Sequence, residues 1–162
     1  MKTIIFAHYD LSAEIKSYVV YYLKQLALIS KKIIFVSTSP LDPEQCSKIQ
    51  DFCDKVILRE NVGHDFYSYK TGIDAIENID EVEQLILCND SCFGPLLPLP
   101  DIFARMISLK ADFWGMSANL RPQFHLQSYF VVFNHKIINS QCFEAFWHEL
   151  QILNNKDQIV FD

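Results

Sequence analysis

Lys32-Ile33-Ile34-Phe35-Val36-Ser37, then Asp42-Pro43 through Phe52, then Lys55-Val56-Ile57-Leu58, is the stretch that decides the fold. Lys32–Ser37 is a short run of β-branched and aromatic residues and reads as a strand. Asp42 followed by Pro43 is an N-cap with proline at the first helical position, where its missing N–H costs nothing, so a helix is predicted over Asp42–Phe52. Lys55–Leu58 reads as another short strand. Two strands joined through a helix run parallel, with a right-handed crossover.

The same alternation continues outward in both directions. Upstream, Thr3–Ala7 reads as a buried strand and Ser12–Ile29 as an amphipathic helix capped by Ser12. Downstream, Asp65–Ile76 reads as a helix, Gln84–Cys88 as a strand and Pro100–Leu109 as a helix. Asp112–Gly115 and Ser128–Phe133 follow as strands, and Ser140–Leu153 as a final helix. The expectation is an α/β domain over residues 1–162, with a mostly parallel sheet and helices on both faces. The sequence stops at Ile159-Val160-Phe161-Asp162, which reads as the start of another strand, so either the domain is truncated here or the chain is short. Such sheets bind ligands beyond the carboxyl ends of their strands. That rule selects His8–Leu11, Ser37–Leu41, Arg59–Phe66 and Asn89–Pro95.

Composition bounds the chemistry. The 162 residues are 50% hydrophobic and 14% aromatic, enough for one well-filled core. A formal charge of −6 argues against nucleic acid, whose binding rests on Lys and Arg neutralising phosphates. It leaves room for an anionic nucleotide held locally by backbone N–H groups, a few basic side chains or a cation. The five cysteines are odd in number, show no CxxC spacing and lie mostly in apolar or helical stretches, so they are expected to be buried free thiols of a reducing, cytoplasmic compartment. No run approaches the length of a membrane span. Trp114 and Trp147, in apolar periodic contexts, are expected in the core.

Three segments carry polar groups dense enough to do chemistry. In Arg59-Glu60-Asn61-Val62-Gly63-His64-Asp65-Phe66, Gly63 permits a positive φ and Asp65 could cap the next helix, although an ordinary turn offers as much. Asn89-Asp90-Ser91 sets three oxygen-bearing side chains at a strand end, where they suit a hard cation, ribose hydroxyls or a diphosphate–metal assembly, or simply begin a turn. His125 and Gln127, two apart on an extended segment, face the same side, and His125 could donate to a phosphate, ligate a metal or shuttle a proton. His8, Tyr9 and Asp10 close the first strand and could meet a base or ribose. Phosphate-binding glycine loops, a nucleophile elbow and a zincin helix are not in the sequence.

Taken in order, Val36-Ser37-Thr38-Ser39, Arg59 through Phe66 with Ser68-Tyr69-Lys70 and Gly72, Asn89-Asp90-Ser91-Cys92-Phe93-Gly94-Pro95, Ala111-Asp112-Phe113-Trp114-Gly115, His125 through Phe130, and Phe143 with Phe146-Trp147 resemble the rhamnan synthesis protein F family of bacterial polysaccharide assembly. The Arg-x-Asn-x-Gly stretch is also similar to family 2 inverting glycosyltransferases. The resemblance implies a Rossmann-like, GT-A-like sheet and a glycosyltransferase that acts on a nucleoside diphosphate sugar and a glycan acceptor in cell-surface polysaccharide synthesis, with rhamnose suggested by the family name. It places Asp90 on a Mg²⁺ or Mn²⁺ ion, supported by Asn89 and Ser91. His8, Arg59, Asn61 and Asp65 fall near the nucleotide, and His125 and Gln127 near the diphosphate or acceptor. Asp90 and His125 are the candidate catalytic residues. Asn89 and Ser91 stand where the related enzymes carry the two acids of an Asp-x-Asp motif, which puts metal dependence in question. The chain is expected in the cytoplasm, with peripheral membrane association through a partner left open by the sequence. The alternative is a non-catalytic module that recognises a glycan or a partner within an assembly complex.

Overall fold

The computed structural model describes residues 1–121 and 123–150. The predicted helical residues Gln151–Leu153 and the strand start at Ile159 lie outside them. A six-stranded sheet has the order β3-β2-β1-β4-β8-β5, from β1 (Lys2–His8), β2 (Lys32–Ser37), β3 (Lys55–Leu58), β4 (Gln84–Asn89), β5 (Phe113–Gly115) and β8 (Phe130–Asn134). β6 (Ala118–Asn119) and β7 (His125–Leu126) form a separate two-residue pairing. β1 to β4 are mutually parallel, as expected. The last two sheet strands are antiparallel: β8 pairs with β4, and β5 with β8.

Period-two alternation along each strand divides the core between the two faces. Ile4, Phe6, Ile33, Phe35, Ile86 and Cys88 turn to one face. There they meet Val19, Leu23 and Leu26 of α1 (Ser17–Leu26) and Leu99 and Phe103 of α4 (Leu99–Leu109). Ile5, Ala7, Val36, Leu85 and Leu87 turn to the other face. They meet Tyr69 and Ile73 of α3 (His64–Asp74), Ile138 of α5 (His135–Ile138), and Phe143 and Trp147 of α6 (Gln141–Glu149). Both tryptophans are buried as expected. α3 lies close on the sheet because Gly72 faces β1: a Cβ there would come 2.4 Å from Ile5 Cγ2.

Three sequence expectations change. α1 begins at Ser17 rather than Ser12, because Asp10 captures the preceding turn. Its Oδ1 accepts from the Ser12 and Glu14 amides, and Ala13 sits at φ 54°. α2 (Pro43–Ser47) is capped by Asp42, which accepts from Gln45 N at 2.8 Å, but it then tightens into i→i−3 turns and stops well short of Phe52. The thiols are not uniformly buried. Cys88 is, on β4, but Cys46 and Cys53 are half-buried, and Cys92 and Cys142 are exposed. Cys92 sits in the loop after β4 and Cys142 in the first turn of α6.

Candidate nucleotide-binding cleft

β1 lies between β2 and β4, so the chain order reverses there. That is where open α/β sheets carry their ligand sites. The four segments selected from the sequence meet beyond the carboxyl ends of these strands. His8 Nδ1 and Ser37 Oγ are 2.9 Å apart, and Thr38 N donates to His8 O. Asp10 N donates to Ser39 Oγ, and Arg59 N to Ser37 O. Tyr9 N donates to Asp90 Oδ2 at 3.2 Å. Asn89 Nδ2 donates to Asp65 Oδ2 at 2.7 Å.

Strand alternation explains how Asn89 and Asp90 divide their work. Asn89, in register with Ala7, turns to the α3 face and is only 2% exposed. The next residue turns the other way, which brings Asp90 Oδ2 to 3.8 Å from His8 Nε2. His8 is packed against Phe35, and its Nε2 makes no hydrogen bond within the described residues. Burial drives both groups toward their neutral forms. It pushes the His8 imidazole down to about 4. It raises the Asp90 carboxyl to about 6, and the nearby Asp65 and Asp10 add to that rise.

A cleft of about 340 Å³ opens over this ground, lined by His8, Tyr9, Thr38, Asn61, Val62, Gly63, His64, Asp65 and Ser68. Gly63 has φ 70°, the left-handed conformation expected of it. It starts α3 so that the first turn of the helix, from Gly63 through Asp65, lines the cleft. Asp65 does not cap the helix: the capping position is Gly63, and the Asp65 carboxylate reaches across to Asn89. Ser91 N donates back to Asn89 Oδ1, so both flanks of Asp90 are engaged within the protein.

His8, Asn61, Asp65, Asn89 and Asp90 therefore come together. Arg59 is beside the cleft but folded back on its own loop, with its guanidinium bonded to Ser68 and to three carbonyls. His125 and Gln127 are elsewhere. Their side chains do face the same way, with Gln127 Nε2 and His125 Nε2 3.1 Å apart. His125 lines a separate groove of about 860 Å³ walled by aromatic side chains, among them Phe66, Trp114, Phe143 and Trp147. The two regions adjoin at Asp65-Phe66, where consecutive residues line one and then the other. Thr38, His64 and Ser68 also line the cleft, and nothing in the sequence assigns them a role of their own. The hydroxyl run Ser37-Thr38-Ser39 after an apolar strand marks only the place of the first of them.

A family model described as rhamnan synthesis protein F matches residues 33–161. An uncharacterised protein, y4gN, of Sinorhizobium fredii is 28% identical over 133 residues, covering 79% of this chain and 35% of that protein. Virulence protein VirA of Vibrio anguillarum is 33% identical over 106 residues, covering 64% of this chain and 30% of that protein. The chain thus spans about a third of the length of these curated relatives. Among solved structures, the 4-diphosphocytidyl-2C-methyl-D-erythritol synthase of Anaerococcus prevotii superposes with a TM-score of 0.58 at 11% identity, covering 99% of this chain and 82% of that one. TarS of S. aureus gives 0.55 at 11% identity, covering 84% and 48%. At such identities the likeness is one of fold, the nucleotidyltransferase and GT-A-like α/β class. Among the described residues no helix is long and apolar enough to cross a membrane.

Proposed function

Because this chain belongs to the rhamnan synthesis protein F family, we propose that it is the donor-binding domain of a glycosyltransferase that uses a nucleoside diphosphate sugar to build a cell-surface polysaccharide. The observation that carries this reading is the meeting of Asp65, Asn89, Asp90 and His8 at the switch point of the sheet, beside a cleft lined by His8 and the first turn of α3. Helix amides suit a diphosphate. Tyr9, half-exposed at the rim, suits the face of a base or ribose. For Mg²⁺ or Mn²⁺ the protein offers one carboxylate, Asp90, because among the described residues no three His, Cys, Asp or Glu side chains are grouped to hold a metal ion; the remaining ligands of such an ion would be the diphosphate and water. Asp90 would hold such an ion, which would neutralise charge on the leaving diphosphate. Rhamnose as the sugar, a glycan acceptor and action at the cytoplasmic face of a membrane through partners belong to the same proposal. VirA, by its name a virulence protein, and the structural neighbour TarS of S. aureus add nothing finer.

Calorimetry with the diphosphates of uridine, thymidine and guanosine in the presence of Mn²⁺ tests the reading. One of them binds, and Asp90→Ala weakens it by about tenfold or more, the range of a lost charge-assisted contact. Binding equal in the variant and the parent would defeat the assignment.

One observation favours a second reading, a non-catalytic glycan- or partner-binding module. Asn89 is spent on Asp65 and on Ser91 N, which leaves Asp90 as the sole acid of its motif. Donor hydrolysis with and without Mn²⁺ separates the two. Hydrolysis lost in Asp90→Asn supports the enzyme, and failure to bind any nucleotide supports the module.

A further inference from the structure

The loop between β3 and α3 supplies most of one wall of the cleft, and it is held in an unusual way. Two successive residues are left-handed, Gly63 at φ 70° and His64 at φ 52°. Glycine adopts that region freely, whereas a residue with a Cβ does so at a cost and persists there only when its surroundings hold it. Asp65 comes next, so the direction in which its carboxylate points depends on this pair.

Arg59 closes around the same turn. Nη1 donates to the carbonyls of Glu60 and Val62, both at 2.8 Å, and Nη2 to the carbonyl of His64 at 2.9 Å. Nε donates to Ser68 Oγ at 3.1 Å, inside α3, and the guanidinium stands 5.6 Å from the Tyr67 ring. The accepting carbonyls bracket Gly63. The rigid fork of the guanidinium thereby ties the end of β3, both sides of the left-handed pair and the body of α3 together. A side chain so engaged has little left to offer a phosphate.

We infer that Arg59 is a positioning residue: it fixes the 60–64 turn so that Asp65 meets Asn89, and it does not serve as a ligand contact. This stands on the geometry of the loop and is tested without reference to what the cleft binds. It departs from the role that the family resemblance implied.

The side-chain amide of Asn89, a donor to a carboxylate, supplies a direct spectroscopic readout in a ¹⁵N–¹H correlation spectrum, with Asp65→Ala as the reference for the broken bond. Arg59→Ala moves the Asn89 amide signals toward those of Asp65→Ala. It also speeds exchange of the Tyr67 amide, which donates to Gly63 O across the same turn, by about tenfold or more, as local opening does. The amides of Ile5 and Leu87 keep their protection, which shows that the sheet is intact. Arg59→Gln serves if the alanine variant does not fold. Arg59→Lys fails to rescue, because an ammonium cannot span three carbonyls and a hydroxyl. Adding His64→Gly to Arg59→Ala restores part of the Asn89 signal, since glycine takes φ 52° without help. Unchanged Asn89 signals in folded Arg59→Ala or Arg59→Gln would overturn the inference, and so would full rescue by lysine or no recovery with His64→Gly.

Discussion

Asn89 on β4 and Asp65 on α3 are joined by a 2.7 Å hydrogen bond that spans the carboxyl edge of the sheet. The contact ties the strand that ends in Asp90 to the helix whose N-terminus overlooks it, and Asn89 is buried. Asp65→Ala therefore leaves a buried amide without its acceptor, which costs about 1–3 kcal/mol. Urea denaturation should show the loss with an unchanged m-value. A variant as stable as the parent would mean that the bond contributes nothing.

The pair His8–Asp90 gives a pH signature with two opposing parts. The folded-state pKa of His8 is depressed to about 4, so its contribution is complete above the unfolded value of 6.5 and is lost as pH falls through 4. That of Asp90 is raised to about 6, so its contribution is complete below the unfolded value of 3.8 and is lost as pH rises through 6. In the parent the two largely offset each other between about pH 4 and 6. Asp90→Asn removes the second part. At pH 7.5 the variant should be more stable than the parent by about 1–3 kcal/mol, the cost of an ionised buried carboxylate, and its stability should fall more steeply on acidification. Thermal unfolding across this range measures both, and parallel curves for the two proteins would contradict the assignment.

Gly72 is set by close packing. A methyl group there would sit 2.4 Å from Ile5 Cγ2, well inside van der Waals contact, so α3 must lift from β1. Gly72→Ala should destabilise by about 1–3 kcal/mol despite the better helix propensity of alanine. A gain in stability on chemical denaturation would show that the helix adjusts freely.

Thr3 Oγ1 is buried with no hydrogen-bond partner among the described residues. Thr3→Val keeps the shape of the side chain and removes the unsatisfied hydroxyl. It should raise stability by about 1 kcal/mol in the same denaturation experiment, because leaving a buried polar group unpaired is what costs. A loss of similar size would indicate that the hydroxyl is satisfied in solution.

Much of this arrangement is legible in the sequence because short-range physics sets it. The apolar runs gave the central strands nearly to the residue, the Asp42-Pro43 pair gave the start of α2, and the carboxyl-end rule picked the four segments that converge. Other features depend on partners distant in the chain or on the path it takes. The reversal that makes β8 antiparallel passes through the two-residue strands β6 and β7, too short for a period to register. The start of α1 is displaced by the Asp10 carboxylate, which competes for amides that a helix would otherwise use. His125 shares with the cleft only the boundary at Asp65-Phe66, a separation that its position in sequence gave no means to foresee. Arg59 read as a base at a strand end; its three carbonyl acceptors become visible only when the turn is closed.

On the proposed function, the residues around Asp65 and Asp90 hold an anion between them at the carboxyl edge of the sheet. Crystals soaked with Mn²⁺ and the nucleoside diphosphate that calorimetry selects test it most directly. Anomalous density for Mn²⁺ is expected beside the Asp90 carboxylate, with the diphosphate at the first turn of α3 and the nucleoside against Tyr9. Nucleotide bound elsewhere on the molecule, with the Asp65–Asp90 cleft unchanged, would contradict it.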